Sequence, residues 1–188
     1  MSSSYQHLII VATAVIVTGL IAVLKLWPYG KDHTFSQHVA RHKSAILYYI
    51  GLFAVVLPLL LLFIFNWFVP TFNPPLVFGY LIVLAAAAQF ACTLVPETGG
   101  RKTTAHQMLA YLAADCLLPV TFIIALLTTV SSIARIIAVV SSLVMVSIIG
   151  IMVWAYFKNH GRHKDLLILQ SVYFAVFFIT LLTTTYTK

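Results

Sequence analysis

Two histidines four residues apart, His38 and His42, stand in the segment Phe35-Ser36-Gln37-His38-Val39-Ala40-Arg41-His42. If that segment starts a helix with Ser36 as its N-cap, both imidazoles share one face, a spacing that can hold a metal ion. His160 and His163 lie three apart just ahead of the last apolar run, and His106 opens the fourth. His38, His42, His106, His160 and His163 are therefore the candidate metal ligands, and neutral imidazole suits zinc or iron. The competing interpretation is a solvated basic loop set touching anionic lipid headgroups, because no acidic residue completes a ligand motif and nearby cations oppose a divalent ion. Haem needs axial histidines within the membrane on facing helices; only His42, His106 and His163 come near that requirement, so haem is disfavoured.

A second group of candidates is polar and intramembrane. Asp115 is the one acidic residue inside an apolar run, about nine residues or roughly 13 Å from the start of its helix. Burying it costs at least ~2.5 kcal/mol, which predicts that it faces the bundle interior. Gln89, on the antiparallel preceding helix, reaches a similar depth, so the two side chains are expected to approach, with Thr93 or Tyr111 beside them. Gln170, on the last helix, is also expected to point inward. A structural hydrogen bond and a ligand or proton site are equally open for this group. Ser141, Ser142, Ser147 and the Thr183-Thr184-Thr185 run fit backbone-bonded packing better than nucleophilic chemistry, since neither a base nor an oxyanion site is legible. Glycine-rich phosphate loops are absent.

These residues must be positioned by a scaffold whose solvent is not water. Of the 188 residues, 62% are hydrophobic and only 8% charged, and the mean hydropathy is +1.03. A soluble domain carries about a quarter charged residues. Runs long enough to cross a hydrocarbon core occupy about 7–27, 44–68, 76–95, 105–128, 133–157 and 165–186, which leaves no room for a separate soluble domain. Satisfying the backbone in lipid makes them helices, so the expected fold is all-α, a single six-helix transmembrane bundle. The first run lacks a basic flank and a cleavage pattern and reads as a retained helix. Pro58 and Pro119 fall inside helices, and Trp27-Pro28-Tyr29-Gly30, Asn66 to Pro75, and Pro96 to Gly100 mark connections. Cys92 and Cys116 lie in apolar runs and suggest helix packing, not a disulfide framework.

Six crossings place Lys25, Lys31, Arg41, Lys43, Arg101, Lys102, Lys158, Arg162 and Lys164 on one side, against Arg135 and Lys188 on the other. Short basic loops resist translocation, so the first side is expected to be cytoplasmic and both termini outside. His33, His38, His42, His106, His160 and His163 share the basic side, while His7 lies opposite. Trp27, Tyr29, Trp154 and Tyr156 at one interface and Tyr5, Trp67, Tyr80 and Tyr186 at the other are expected to form aromatic belts.

Three sequence elements carry a family resemblance. They are a serine in the first loop, Phe35-Ser36-Gln37; a proline-acidic pair with a later histidine, Val95-Pro96-Glu97-Thr98-Gly99-Gly100 and Ala105-His106-Gln107; and Gly161 followed by Gln170 around the last helix. In these, and over nearly its whole length, the chain resembles the prokaryotic six-helix membrane family catalogued as domain of unknown function 998, a relative of the DRAM and Sfk membrane proteins. The resemblance implies that Ser36, Glu97, His106 and Gln170 line one shared surface, and it implies a prokaryotic plasma membrane. Members of that family carry basic even-numbered loops, whereas here the odd-numbered loops are basic.

The expectation is a polytopic protein that binds or transports a small amphiphile or lipid headgroup at a histidine-rich basic mouth, with Ser36, Glu97, His106, Gln170, Gln89 and Asp115 as ligand-binding candidates. Its partners would be membrane lipid and that ligand, not nucleic acid. Two alternatives stand beside it: a metal-dependent lipid-modifying enzyme using the five histidines, and a pH-responsive protein, since unperturbed imidazole titrates near pH 6.5.

Overall fold

Apolar runs of this length have one way to satisfy their backbone without water, and the chain takes it at every run. The computed structural model describes residues 3–30, 33–159 and 165–187. After a 3-10 turn at Ser3–His7 come α1 (Leu8–Leu26), the short α2 (Phe35–Val39), α3 (Lys43–Phe63), a π turn (Ile64–Phe68), α4 (Val69–Phe72), α5 (Leu76–Leu94), α6 (Gly100–Leu126), α7 (Ser132–Asn159) and α8 (Leu166–Tyr186). Six helical stretches are long and apolar enough to cross a membrane, with α3, the π turn and α4 forming one of them. The protein is therefore an all-α integral membrane bundle, with no strand among the described residues.

Two boundaries differ from the sequence expectation. The break expected from Asn66 to Pro75 shrinks to residues 73–75, because the second span continues to Phe72. Pro70 would collide with the Asn66 carbonyl in a regular helix and offers it no N–H; the turn just upstream widens instead, with the Val69 N–H reaching the Ile64 carbonyl. Asn73 then closes the helix in the left-handed region at φ 47°. The fourth span starts at Gly100, five residues earlier than 105, so Arg101 and Lys102 belong to its first turn.

Consecutive spans pack side by side, α1 on α3, α3 on α5, α5 on α6, α6 on α7 and α7 on α8, and α8 returns to touch α1. Gly19 makes room for Leu52 between α1 and α3: a Cβ there would sit 2.3 Å from Leu52 Cδ1. Hydroxyls join helices as well, Thr121 Oγ1 lying 2.9 Å from Ser142 Oγ between α6 and α7. Ser141 Oγ donates to the Val176 carbonyl on α8 at 3.3 Å. These serines and Thr184 and Thr185 bond backbone or neighbouring hydroxyls, as packing residues do.

Hydrogen bonds gather the connections into two ends. At one, the Gln6 amide donates to the Thr185 carbonyl, Ser131 Oγ meets Thr187 Oγ1, and Thr129 Oγ1 donates to the Phe72 carbonyl. Both termini and two links thus share that end. At the other, α2 is bonded to the 95–99 connection and to the start of α8. Trp67, expected in an aromatic belt, is instead buried in the core and stacks on Phe63 at 5.5 Å. The π turn rotates it inward. Tyr5, Tyr80, Tyr186 and Trp154 are exposed as belt residues should be.

Candidate functional site: a polar-mouthed cavity

The site begins with Thr34. Its hydroxyl accepts from the Gln37 N–H at 3.3 Å and the Gln37 carboxamide oxygen accepts from the Thr34 N–H at 3.1 Å, a reciprocal capping box that starts α2. The N-cap is thus Thr34 and not Ser36, and the reason is this Thr-x-x-Gln spacing. Ser36 falls inside the helix and buries its hydroxyl, which donates to Glu97 Oε2 at 2.8 Å. Gln37 Nε2 donates to Glu97 Oε1 at 2.9 Å, and Thr34 Oγ1 to Oε2 at 3.2 Å. From α6, Gln107 Nε2 reaches Oε1 at 3.5 Å. The first N–H of α2, on Phe35, donates to Gln170 Oε1 at 3.2 Å, so α8 satisfies a group the short helix cannot.

Glu97 is presented by a sharp turn into α6. Gly99 and Gly100 have φ of 106° and 56°, values that side chains resist, and the Gly99 N–H donates to Thr103 Oγ1 at 2.9 Å. The carboxylate is bonded by neutral donors, with no ion pair to a described residue. His106, one turn further along α6, is buried and donates from Nδ1 to the Val95 carbonyl at 2.7 Å. Cys92 Sγ lies 3.4 and 3.3 Å from the two ring nitrogens, so the thiol packs against the imidazole without lying in line with either. Both cysteines are free and buried.

These groups line the mouth of a cavity bounded by α2, the 95–99 connection, α5, α6, α7 and α8. The centre of a water molecule can occupy about 140 Å³ of it, space for roughly five waters at the ~30 Å³ each takes in the liquid. Ser36, Gln89, Glu97, His106 and Gln170 all line it, together with Thr34, Gln37, Gln107 and Tyr173. Its depth is apolar, formed by Ala113, Leu117, Ile149, Met152 and Phe174. Tyr173 closes one wall by donating to the Ala114 carbonyl at 2.5 Å. A second, apolar pocket of about 40 Å³ adjoins the first, sharing Gln89, Ala113, Leu117 and Phe174 as walls and lying between Phe53, Ile82 and Phe177.

Two expectations are corrected. Asp115 does not face the interior or join Gln89: it is exposed on the outer surface of α6, in a groove between α6 and α7. Helical periodicity decides this, because the buried face of α6 carries His106, Ala113, Cys116 and Val120, while Asp115 falls on the face of Met108, Leu112 and Phe122. Nor do His38 and His42 form a metal pair. The His38 Nε2–H donates to the Gly30 carbonyl at 3.0 Å, and Nδ1 lies 3.1 Å from both the Tyr29 N–H and the Trp27 carbonyl, so both ring nitrogens are occupied by backbone. His42 is exposed at the start of α3. Among the described residues no group of three or more His, Cys, Asp or Glu could hold a metal ion. His160 and His163 lie outside the described residues. His33 stacks on Tyr29 with ring centres 3.8 Å apart, and the Arg41 guanidinium lies 3.6 Å from the Tyr29 ring centre. His33 and His38 therefore fasten the α1–α2 connection, and among the described histidines only His106 lines the cavity.

Thr34, Gln37, Gln107 and Tyr173 were missed as site residues by the sequence reading. Only Thr34 and Gln37 carried a usable signal, the capping-box spacing. No family model, curated protein or solved structure matches the chain.

Proposed function

We propose that this protein binds a small amphiphile or lipid headgroup in the cavity at its basic end, as a carrier or receptor in a prokaryotic plasma membrane. One observation carries the proposal: a polar mouth built around Glu97 adjoins an apolar pocket in the bundle, the two sharing Gln89, Ala113, Leu117 and Phe174 as walls. A head that hydrogen-bonds and a tail that does not are the chemistry such a lining complements. The family resemblance supports the same surface, since Ser36, Glu97, His106 and Gln170 all border it. The charge asymmetry puts this mouth on the cytoplasmic side, with the termini outside.

The test is retention of amphiphile by the protein in nonionic detergent, followed by native mass spectrometry. Ala113 borders both pockets, so Ala113→Phe takes up space in each. The unmodified chain is expected to carry a bound amphiphile and the folded variant to lose it; equal retention by both overturns the assignment. Orientation is tested in a cysteine-free background with a membrane-impermeant maleimide on whole cells. Thr129→Cys should label and Arg41→Cys should not, and the reverse pattern inverts the topology.

A further inference from the structure

The outward groove that holds Asp115 is not independent of the cavity. It is lined by Gln107, Tyr111 and Ile149, and the same three residues line the cavity, so a single layer of side chains separates the two spaces. Gln107 is also the residue whose amide reaches Glu97. A molecule in the groove is thus one side chain away from the mouth.

Charge adds a second, separate observation. The chain has 11 lysines and arginines against 4 aspartates and glutamates, so a wall drawn at random would be cationic. The described walls do the opposite: the cavity is lined by Glu97, the groove by Asp115, and neither by a lysine or an arginine. Among the described residues, the groups that hydrogen-bond Glu97 are neutral hydroxyls and carboxamides, and none is a cation. In a low-dielectric setting a carboxylate charge favours a cation and repels an anion. Tyr111, Tyr173 and Phe174 border the same space, and aromatic faces also favour ammonium groups.

We infer that the ligand is an amphiphile with a cationic ammonium head, that it reaches the cavity sideways from the bilayer through the α6–α7 groove past Asp115, and that Glu97 is its counter-ion. The inference rests on the amphiphile-binding proposal and names the class of head and the route. Asp115 then has a reason to face outward, where a carboxyl is costly: it meets the head before the partition. Gln107 and Tyr111 must swing aside to let the head pass.

The experiment uses the full chain in nonionic detergent, with radiolabelled dodecyltrimethylammonium as probe and dodecanoate as its anionic counterpart of equal tail length. The ammonium probe should bind at least about tenfold tighter than dodecanoate. Glu97→Gln, which keeps the shape of the side chain and replaces one acceptor oxygen by an NH2 that the Thr34 and Ser36 hydroxyls can accept from, should reduce that preference to within about twofold. Gln107→Glu adds a carboxyl at the partition and should raise it, which keeps the inference testable if the first variant does not fold. Asp115→Asn should leave the dissociation constant within about twofold while slowing association and dissociation together, as expected of a residue on the route and not in the final site. Equal binding of the two probes, or a preference untouched by both Glu97→Gln and Gln107→Glu, overturns the cationic assignment and leaves the amphiphile cavity standing. Unchanged rates in Asp115→Asn overturn the lateral route. Binding of neither probe, with no amphiphile retained by the unmodified chain, overturns both proposals.

Discussion

The two ends of the bundle solve opposite problems. At the end that holds the termini, rings fill the space: Phe68 stacks on Phe78 at 5.1 Å and 6°, and Phe63 stacks on Trp67. Phe63, Phe68 and Phe78 are wholly buried there. At the other end about 140 Å³ is left open and its mouth is bordered by carboxamides, hydroxyls and one carboxylate. The difference teaches that this fold separates cohesion from recognition along the bundle axis. The filled end draws on dispersion and close packing, whereas the open end is kept from collapsing by directional bonds among Thr34, Ser36, Gln37, Glu97 and Gln170.

That contrast can be broken most forcefully at the filled end. Phe68→Ala should lower the unfolding free energy by about 3–5 kcal/mol, measured by denaturant or thermal unfolding in detergent, with no gain or loss of selectivity at the cavity; a loss below 1 kcal/mol, by the same principle, would mean that the rings are not the anchor. Glu97→Ala removes the acceptor shared by Ser36 and Gln37 and should cost about 1–3 kcal/mol. It should also loosen α2, seen as faster backbone amide exchange at residues 35–39. Gln170→Leu leaves the Phe35 N–H without its acceptor and should cost about 1 kcal/mol, with exchange quickened at Phe35 more than elsewhere in α2. Asp115→Leu should not destabilise the protein by more than about 0.5 kcal/mol, because nothing in the interior depends on the carboxyl. A larger loss would place Asp115 in the packed bundle and erase the distinction between its groove and the cavity.

Particular residues show where sequence reasoning succeeds and where it stops. The six spans were legible because hydrocarbon enforces one rule on every residue in them, and a run such as Leu8–Leu26 states its state without reference to the rest of the chain. Trp67 and Asp115 were assigned to the wrong surfaces because the side of a helix that faces inward depends on rotation about its axis. A π turn changed that rotation for Trp67, and the packing of small residues Ala113 and Cys116 fixed it for Asp115. For the candidate site, Ser36, Glu97, His106, Gln170 and Gln89 were singled out, but the histidine pair was misjudged. His38 is used up by backbone groups of a connection that the spacing of two histidines says nothing about.

The sequence alone determined the solvent of this protein, its helical class, its crossings and the unequal charge of its loops, because those follow from the local balance of apolar and polar groups. Only the tertiary structure decided that Glu97, sixty-one residues from Ser36, would be the shared acceptor of Thr34, Ser36 and Gln37 at the mouth of a cavity, and that Asp115 would stand outside it. Such pairings depend on how helices turn and lean against one another, and that is a property of the assembled bundle.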